Sequence, residues 1–259
     1  MSFSQTVILA AFAGFTIYLG LPVGRLRNIS TRTQVLLTTG AAGVVLFLIF
    51  DVLAQAVEPV TDALKDFDAG GPIGPFLLLG AVFAGSVAFG LLSITWVTTR
   101  MRPAAGQTVL PSQIAMGTAI GLGLHNFSEG LAIGQSSATG ATQLALLLVI
   151  GFALHNATEG FGIAAPLTSG ERPTWAYLAL LGLIGGGPTF LGGVIGYSFV
   201  APVLSVAFLG LAAGALVFVF NEMMSVSRRM ALPMVGSTAL IVGLLAGFGT
   251  NFLLVAAGA

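Results

Sequence analysis

Long apolar stretches alternate with short polar segments along the whole chain of 259 residues. Most of these stretches reach the roughly 20 apolar residues that an α-helix needs to cross the hydrocarbon core of a bilayer. Because only helices and closed barrels satisfy their backbone hydrogen bonds in lipid, the pattern predicts helical spans. Eight such spans are predicted, at approximately 5–23, 34–54, 75–98, 111–136, 142–166, 174–199, 202–224 and 233–257.

Composition agrees with this pattern. Hydrophobic residues make up 56% of the chain and charged residues only 7%, whereas a soluble domain carries about 25% charged residues. We therefore expect an all-α, polytopic membrane protein, with residues 1–259 forming a single eight-transmembrane-helix bundle in a lipid bilayer. The chain has no cysteine, which excludes disulfides and thiolate metal sites, and its net charge of zero gives no sign of a nucleic-acid partner.

Basic residues predict the orientation of this bundle. Of the nine Lys and Arg residues, eight fall in the connections after the first, third, fifth and seventh stretches. Since cytoplasmic loops carry an excess of basic residues, we expect a multi-pass protein of the cell membrane with both termini extracytoplasmic. The ninth, Lys65, falls in a predicted acidic loop, which we interpret as a solvated connector or a weak attractant for cations. The other eight are Arg25, Arg27, Arg32, Arg100, Arg102, Arg172, Arg228 and Arg229.

The pattern H-N-x-[ST]-E-G occurs twice, at residues 125–130 and 155–160, and contains the only two histidines of the chain. In a helix, residues i and i+4 lie on one face, so each copy presents an imidazole beside a carboxylate. Only a few residues separate the two stretches that carry the copies, which predicts an antiparallel hairpin over about residues 111–166. Both copies should then lie deep in the bilayer and face each other.

Two carboxylates at that depth need neutralisation, because an unpaired one costs at least about 2.5 kcal/mol in hydrocarbon. No Lys or Arg lies in any apolar stretch, so protons or one divalent cation must supply the charge. Imidazole and carboxylate ligands together suit Zn(II), Fe(II), Mn(II) or Cd(II) better than Ca(II) or Mg(II). Two asparagines of the motifs either add carbonyl ligands or orient the others. The candidate metal ligands are His125, Asn126, Glu129, His155, Asn156 and Glu159.

The same residues allow other interpretations. The His and Glu side chains could be structural groups that bond helix to helix. A zinc protease would need H-E-x-x-H, but Asn126 and Asn156 follow the two histidines directly. The sequence also has no constellation of nucleophile and base, so we expect no enzymatic activity and no prosthetic cofactor.

Three further polar residues are candidates for a transport pathway. Asn221 and Glu222 lie near the end of the seventh stretch, and Asp51 lies near the predicted outer end of the second. Glu222 could instead pair with Arg228 or Arg229 near the cytoplasmic surface.

The paired motifs resemble those of the ZIP family of divalent-metal transporters, in which the fourth and fifth of eight spans carry H-N-x-P-E-G and H-[ND]-x-P-E-G. The resemblance covers the whole chain in span number and polarity and is specific at residues 125–130 and 155–160. It implies a binuclear site at mid-membrane and inward transport by alternating access, with zinc as the first candidate substrate. One metal would bind His125, Glu129, His155 and Glu159, and the other Asn126, Asn156 and the same glutamates.

The chain departs from the family pattern at several positions. Ser128 and Thr158 replace the proline of each motif, Gly187 replaces a glutamate before Pro188, and Asn221 replaces a glutamate. The missing carboxylate at Gly187 leaves open whether one metal binds or two. A proton-coupled transporter of another substrate and a metal sensor without flux are the alternative functions, and the sequence leaves open whether the chain forms a homodimer.

Overall fold

A computed structural model of the protein describes residues 1–27, 29–101, 110–199 and 201–256, and all regular structure in these ranges is helical. The all-α prediction is therefore confirmed. Two predicted positions, Arg102 and the end of the last span at residue 257, lie outside the described residues. Three short 3-10 segments occur at Thr16–Leu19, Leu21–Arg25 and Ala165–Ser169. The helices are α1 Phe3–Phe15, α2 Thr31–Asp68, α3 Gly74–Met101, α4 Pro111–Ala138, α5 Thr142–Ala164, α6 Trp175–Ser198, α7 Pro202–Arg229 and α8 Pro233–Ala256.

Seven helical stretches of the described chain are long and apolar enough to cross a membrane. They comprise α1 with the two 3-10 segments after it, α2, α3, most of α5 with the 3-10 segment after it, α6, α7 and most of α8. Many of their large apolar side chains are exposed on the outside of the bundle, among them Phe89, Leu92 and Leu245. These helices indicate a multi-pass membrane protein.

The helix α4 is the one predicted span that does not qualify by apolarity. Its 28 residues give a length of about 42 Å, which exceeds the hydrocarbon core. However, it carries all the polar side chains of the first motif, and sixteen of its residues are buried. Because α4 lies against α5, α6 and α7, much of its surface faces protein rather than the outside of the bundle.

The acidic segment after the predicted second span is helical, so the prediction of a loop there is wrong. The helix α2 runs for 38 residues, about 57 Å, and ends just before Gly70, whose φ of 97° is left-handed. Lys65 donates to Asp62 at 2.8 Å on the exposed side of this extension. Such pairs, three residues apart, support a helix that has left the apolar region.

Some of the arginines predicted in connections also lie in helices. Arg228 and Arg229 form the last turn of α7, and Arg100 lies in the last turn of α3. Positive charge is favourable at the carboxyl end of a helix, where the backbone carbonyls lack partners. The predicted spans were therefore too short at these ends, because each apolar stretch ends before its helix does.

The helices form two groups that meet at α4 and α7. In the first group α6 packs against both α4 and α1, and α5 packs against α4 and α1. In the second, α2 packs against α8 and α7, and α3 packs against α7. The large apolar core between the groups includes Phe47, Leu122 and Leu216.

Glycines bring α4 and α6 into backbone contact. A Cβ atom added at Gly192 would lie 2.1 Å from the carbonyl oxygen of Phe127, and one at Gly123 would lie 2.3 Å from that of Ile184. Small residues allow this close approach of helices in a membrane. The tight α4–α6 contact holds the first motif against α6.

Replacing Gly192 with alanine tests this contact. The added methyl group meets backbone rather than a movable side chain, so we expect Gly192→Ala to lower the free energy of unfolding by about 1–3 kcal/mol. Gly85→Ala in α3 is the matched control, because a Cβ there meets no atom within 4 Å. Thermal unfolding in detergent, followed by circular dichroism, measures both. Equal melting temperatures would contradict the contact.

Candidate functional site

The helices α4 and α5 form an antiparallel hairpin, as predicted. Three residues, 139–141, connect them, and Gly140 in this turn has a φ of 81°, which favours glycine. With so short a connection, the two helices lie side by side and run in opposite directions. Asn126 of α4 faces Glu159 of α5, and Glu129 of α4 faces Asn156 of α5. In both pairs the α5 residue lies farther from the turn than its α4 partner.

Reciprocal hydrogen bonds join the two motif copies. Asn126 Nδ2 donates to Glu159 Oε2 at 2.9 Å, and Asn156 Nδ2 donates to Glu129 Oε2 at 3.3 Å. Each asparagine therefore holds the carboxylate of the other copy. These bonds fit an orienting role for the asparagines, which is one of the two roles that the sequence left open, and they leave both amide oxygens available for the other role.

His125 lies between the two carboxylates. Its Nε2 is 3.2 Å from Glu129 Oε1 and 3.7 Å from Glu159 Oε1. These three residues are between 2% and 4% exposed, and Asn126 and Asn156 are fully buried. The structure thus contains a buried His/Glu ion-pair cluster at the predicted position. His155 lies in α5, but its side chain is outside the part of the chain that the structure describes.

Several polar atoms of the cluster have no hydrogen-bond partner among the described residues. They include the two asparagine oxygens, Asn126 Oδ1 and Asn156 Oδ1, and also Glu159 Oε1 and His125 Nδ1. The three oxygens only accept hydrogen bonds, and buried acceptors are normally paired. Such an excess of acceptors favours a cation or protons.

The cluster is not a ready-made metal cage in the described residues, where no group of three or more His, Cys, Asp or Glu side chains is arranged to hold an ion. His125 instead faces the carboxylates directly. The donor types are nevertheless those of a transition-metal site, namely imidazole, carboxylate and amide oxygen. A cation would have to replace the direct contacts between these groups.

The last residue of each motif, a glycine, provides a helix contact. A Cβ at Gly130 would lie 2.1 Å from the carbonyl oxygen of Thr189 in α6, and one at Gly160 would lie 2.1 Å from that of Ile17 in the first 3-10 segment. Both motif helices are therefore held against neighbouring backbone one residue after their glutamates. This close approach explains the glycine at the end of each copy.

Asp51 lies nearer the cluster than the sequence predicted. It lies in the middle of α2 rather than at the outer end, since α2 continues to Asp68. Its charge interacts with those of His125 and Glu129. Gln55, one helical turn away, donates to Asp51 Oδ2 at 2.7 Å. A third carboxylate therefore adds negative charge near the site.

The other two pathway candidates, Asn221 and Glu222, lie in different surroundings. Asn221 is exposed on α7, whereas Glu222 lines a cavity of about 430 Å³ between α3, α4 and α7. Gln113, Thr118 and Tyr177 also line this cavity. The cavity lies at the ends of α3 and α7 and at the start of α4, which is the side predicted to be cytoplasmic.

Two contacts escaped sequence analysis. Asn126 Nδ2 also donates to the carbonyl oxygen of Gly185 at 2.9 Å, which joins the cluster to α6. The signal was the run Gly185 to Pro188, since a proline removes a backbone donor and glycines leave carbonyls accessible. The bond from Gln55 to Asp51 is the second contact. The sequence could have predicted it, because residues four positions apart are neighbours on a helix surface. Ser128, which stands where the ZIP motif has proline, bonds to its own helix at the Leu124 carbonyl.

Comparison with known proteins adds no relatives: no protein-family model matches this chain, and no curated protein matches it. The resemblance of residues 125–130 and 155–160 to the ZIP motifs therefore stays a prediction. The helical fold and the geometry of the cluster are the grounds on which a function can be argued.

Removing the Asn126 amide tests the cross-helix bonds. In Asn126→Ala, Glu159 Oε2 and the Gly185 carbonyl both lose a buried donor, at a cost of about 1–3 kcal/mol for each group. Asn156→Ala removes a single, longer bond, so we expect a smaller loss. Ser128→Ala is the control, because its hydroxyl bonds only within α4. Thermal unfolding in metal-free detergent buffer measures all three, and an unaffected Asn126→Ala would refute the assignment.

Proposed function

We propose that this chain transports a divalent transition metal, with zinc as the first candidate, into the cytoplasm by alternating access through the cluster between α4 and α5. The observation that carries the proposal is the convergence of His125, Glu129 and Glu159 in the buried interior. In this proposal the metal is cargo, and the protein has neither enzymatic activity nor a prosthetic cofactor.

Charge balance favours a divalent substrate. Glu129 and Glu159 together carry two negative charges when ionised, and neutral imidazole adds a ligand without adding charge. A cation of charge +2 therefore neutralises the site with all ligands in their binding forms. Asp51 increases the attraction for a cation without contacting His125 directly in the described ion pairs.

Distances also support a small transition-metal ion. Zinc bonds to nitrogen and oxygen at about 2.0–2.2 Å, which places neighbouring ligand atoms of a tetrahedron roughly 3.3–3.6 Å apart. The separations of 3.2 and 3.7 Å from His125 Nε2 to the glutamate oxygens are close to this range. Asn126 Oδ1 and Asn156 Oδ1 are further candidate ligand atoms, on the side chains whose amide nitrogens bond to these carboxylates. The motif resemblance is the only basis for a second bound metal and for His155 as a ligand.

The proposal requires α4 to cross the membrane as the eighth span, enclosed by its neighbours. Both termini are then extracytoplasmic, and the arginine-bearing ends are cytoplasmic. The group of α1, α4, α5 and α6 would move against the other four helices, which exposes the cluster to each side in turn. Metal would arrive past the acidic end of α2 and leave along the cavity lined by Glu222.

Metal uptake into proteoliposomes tests the function. We expect uptake of Zn(II), compared with Fe(II), Mn(II) and Cd(II), to be lost in His125→Ala and in the double variant Glu129→Gln, Glu159→Gln, because each removes ligands or charge from the cluster. Glu171→Gln is the control, since it removes an equal charge from an exposed side chain outside the cluster.

Each alternative function has its own outcome in this assay. Undiminished uptake in the double glutamate variant would refute the metal pathway. Flux that follows a pH gradient in the presence of a chelator would instead identify a proton-coupled transporter of another substrate. Stoichiometric metal binding without uptake would identify a sensor.

Glu222 tests the exit route separately. We expect Glu222→Gln to slow metal uptake but to leave equilibrium metal binding by purified protein unchanged, because Glu222 lines the cavity and not the cluster. Asn221→Ala, at the exposed neighbouring position, should change neither quantity. A Glu222→Gln variant with normal uptake would exclude a role of this side chain in release.

A further inference from the structure

Three arginines gather at the end of the bundle where α1 and α5 finish. Arg25 and Arg27 are two residues apart, and both reach carbonyls on either side of the turn that carries Arg172. Arg25 donates to the carbonyl oxygen of Pro173, and Arg27 Nη1 donates to that of Leu167 at 3.3 Å. These bonds hold both guanidinium groups of the connection between α1 and α2 beside the connection between α5 and α6.

No carboxylate neutralises this arginine cluster among the described residues. The described ion pairs join Lys65 to Asp62 and His125 to the two glutamates, and none includes an arginine. Glu171 lines the adjacent cavity with Arg172 but forms no ion pair with it. Three positive charges and one negative charge leave a local net charge of +2.

Two donors of the cluster are buried without an acceptor in the part of the chain that the structure describes. They are Arg25 Nε and Arg27 Nη2. Buried N–H groups are normally hydrogen-bonded, and a guanidinium fork matches the spacing of phosphate oxygens. Backbone carbonyls account for the other bonds of these side chains, so the remaining donors require an acceptor that the described residues do not supply.

The surroundings fit a ligand at the membrane surface. The Arg25 guanidinium lies 4.4 Å from the centre of the Trp175 ring, and Trp175 is 61% exposed. A cavity of about 630 Å³ is lined by Arg172 and Tyr177 among others. Leu167 and Pro173, whose carbonyls accept from Arg27 and Arg25, also line it. Tryptophan and tyrosine are enriched at the boundary between hydrocarbon and headgroups.

We propose that Arg25, Arg27 and Arg172 form a binding site for a phosphate group, carried by an anionic lipid headgroup or free in solution. The site lies within the group of α1, α4, α5 and α6 and is independent of the proposed metal transport. Its phosphate oxygens accept from Arg25 Nε and Arg27 Nη2, and the exposed guanidinium of Arg172 adds charge at the rim.

Quenching of Trp175 by brominated lipids tests the lipid source. The variant Trp96→Phe leaves Trp175 as the only tryptophan. In phosphatidylcholine vesicles, we expect brominated phosphatidylglycerol to quench Trp175 at a lower mole fraction than brominated phosphatidylcholine does. The preference should fall about fivefold in Arg172→Gln, which removes one surface charge. Arg172 donates no described hydrogen bond to the fold, and the double variant Arg25→Gln, Arg27→Gln, checked for helicity, should abolish the preference.

Trp96 is the matched control, because Arg100 is the one arginine of the described residues whose guanidinium lies over its ring, at 4.8 Å from the ring centre. In Trp175→Phe, the remaining Trp96 should show a smaller preference that Arg172→Gln does not change. Equal quenching of Trp175 by both brominated lipids, or an equal preference at Trp96, would refute the lipid site.

Inorganic phosphate, titrated into protein in detergent, distinguishes the second source. A saturable change of Trp175 fluorescence that is lost in Arg172→Gln would assign the site to free phosphate. No change with phosphate, together with the lipid preference, would assign it to a headgroup. No response to either probe would overturn the proposal.

Discussion

Burial of two carboxylates in an apolar helical bundle is the constraint on which the rest of this structure depends. An ionised glutamate in such surroundings is tolerated only if hydrogen bonds and opposite charge replace its hydration. Here Glu129 and Glu159 each receive an asparagine amide from the other motif helix, and both face His125. The arrangement therefore requires two helices at a fixed antiparallel register, which the three-residue turn provides.

Enclosure of the cluster explains why α4, alone among the predicted spans in the described chain, is not apolar enough to qualify as a membrane span. A helix that faced lipid on one side would need an apolar stripe there, whereas α4 is covered by α5, α6 and α7. Glycines make this cover close: Gly130 lies against the Thr189 carbonyl, and Gly192 lies against that of Phe127. The polar residues of α4 and its glycine contacts with α6 thus both result from the burial of α4 among its neighbours.

Periodicity and turn length were sufficient to predict that α4 and α5 form a hairpin in which the motifs face each other. They were insufficient for the reciprocal asparagine–glutamate bonds, for helix ends and for backbone partners. Apolarity stops near Ala54, yet α2 continues to Asp68, since a polar helix outside lipid needs no apolar residues. The bond from Asn126 to the Gly185 carbonyl was missed because the run Gly185 to Pro188 marks accessible carbonyls but does not tell which helix docks against them.

The choice of asparagine after each histidine follows from the same electrostatics. An aspartate at position 126 would add a negative charge beside Glu159 and could not donate to the Gly185 carbonyl. An amide separates the two functions: its nitrogen holds the carboxylate, and its oxygen stays an acceptor without a described donor. The site can therefore keep two carboxylates in place between α4 and α5 and still present neutral oxygens to a cation, at no further cost in buried charge.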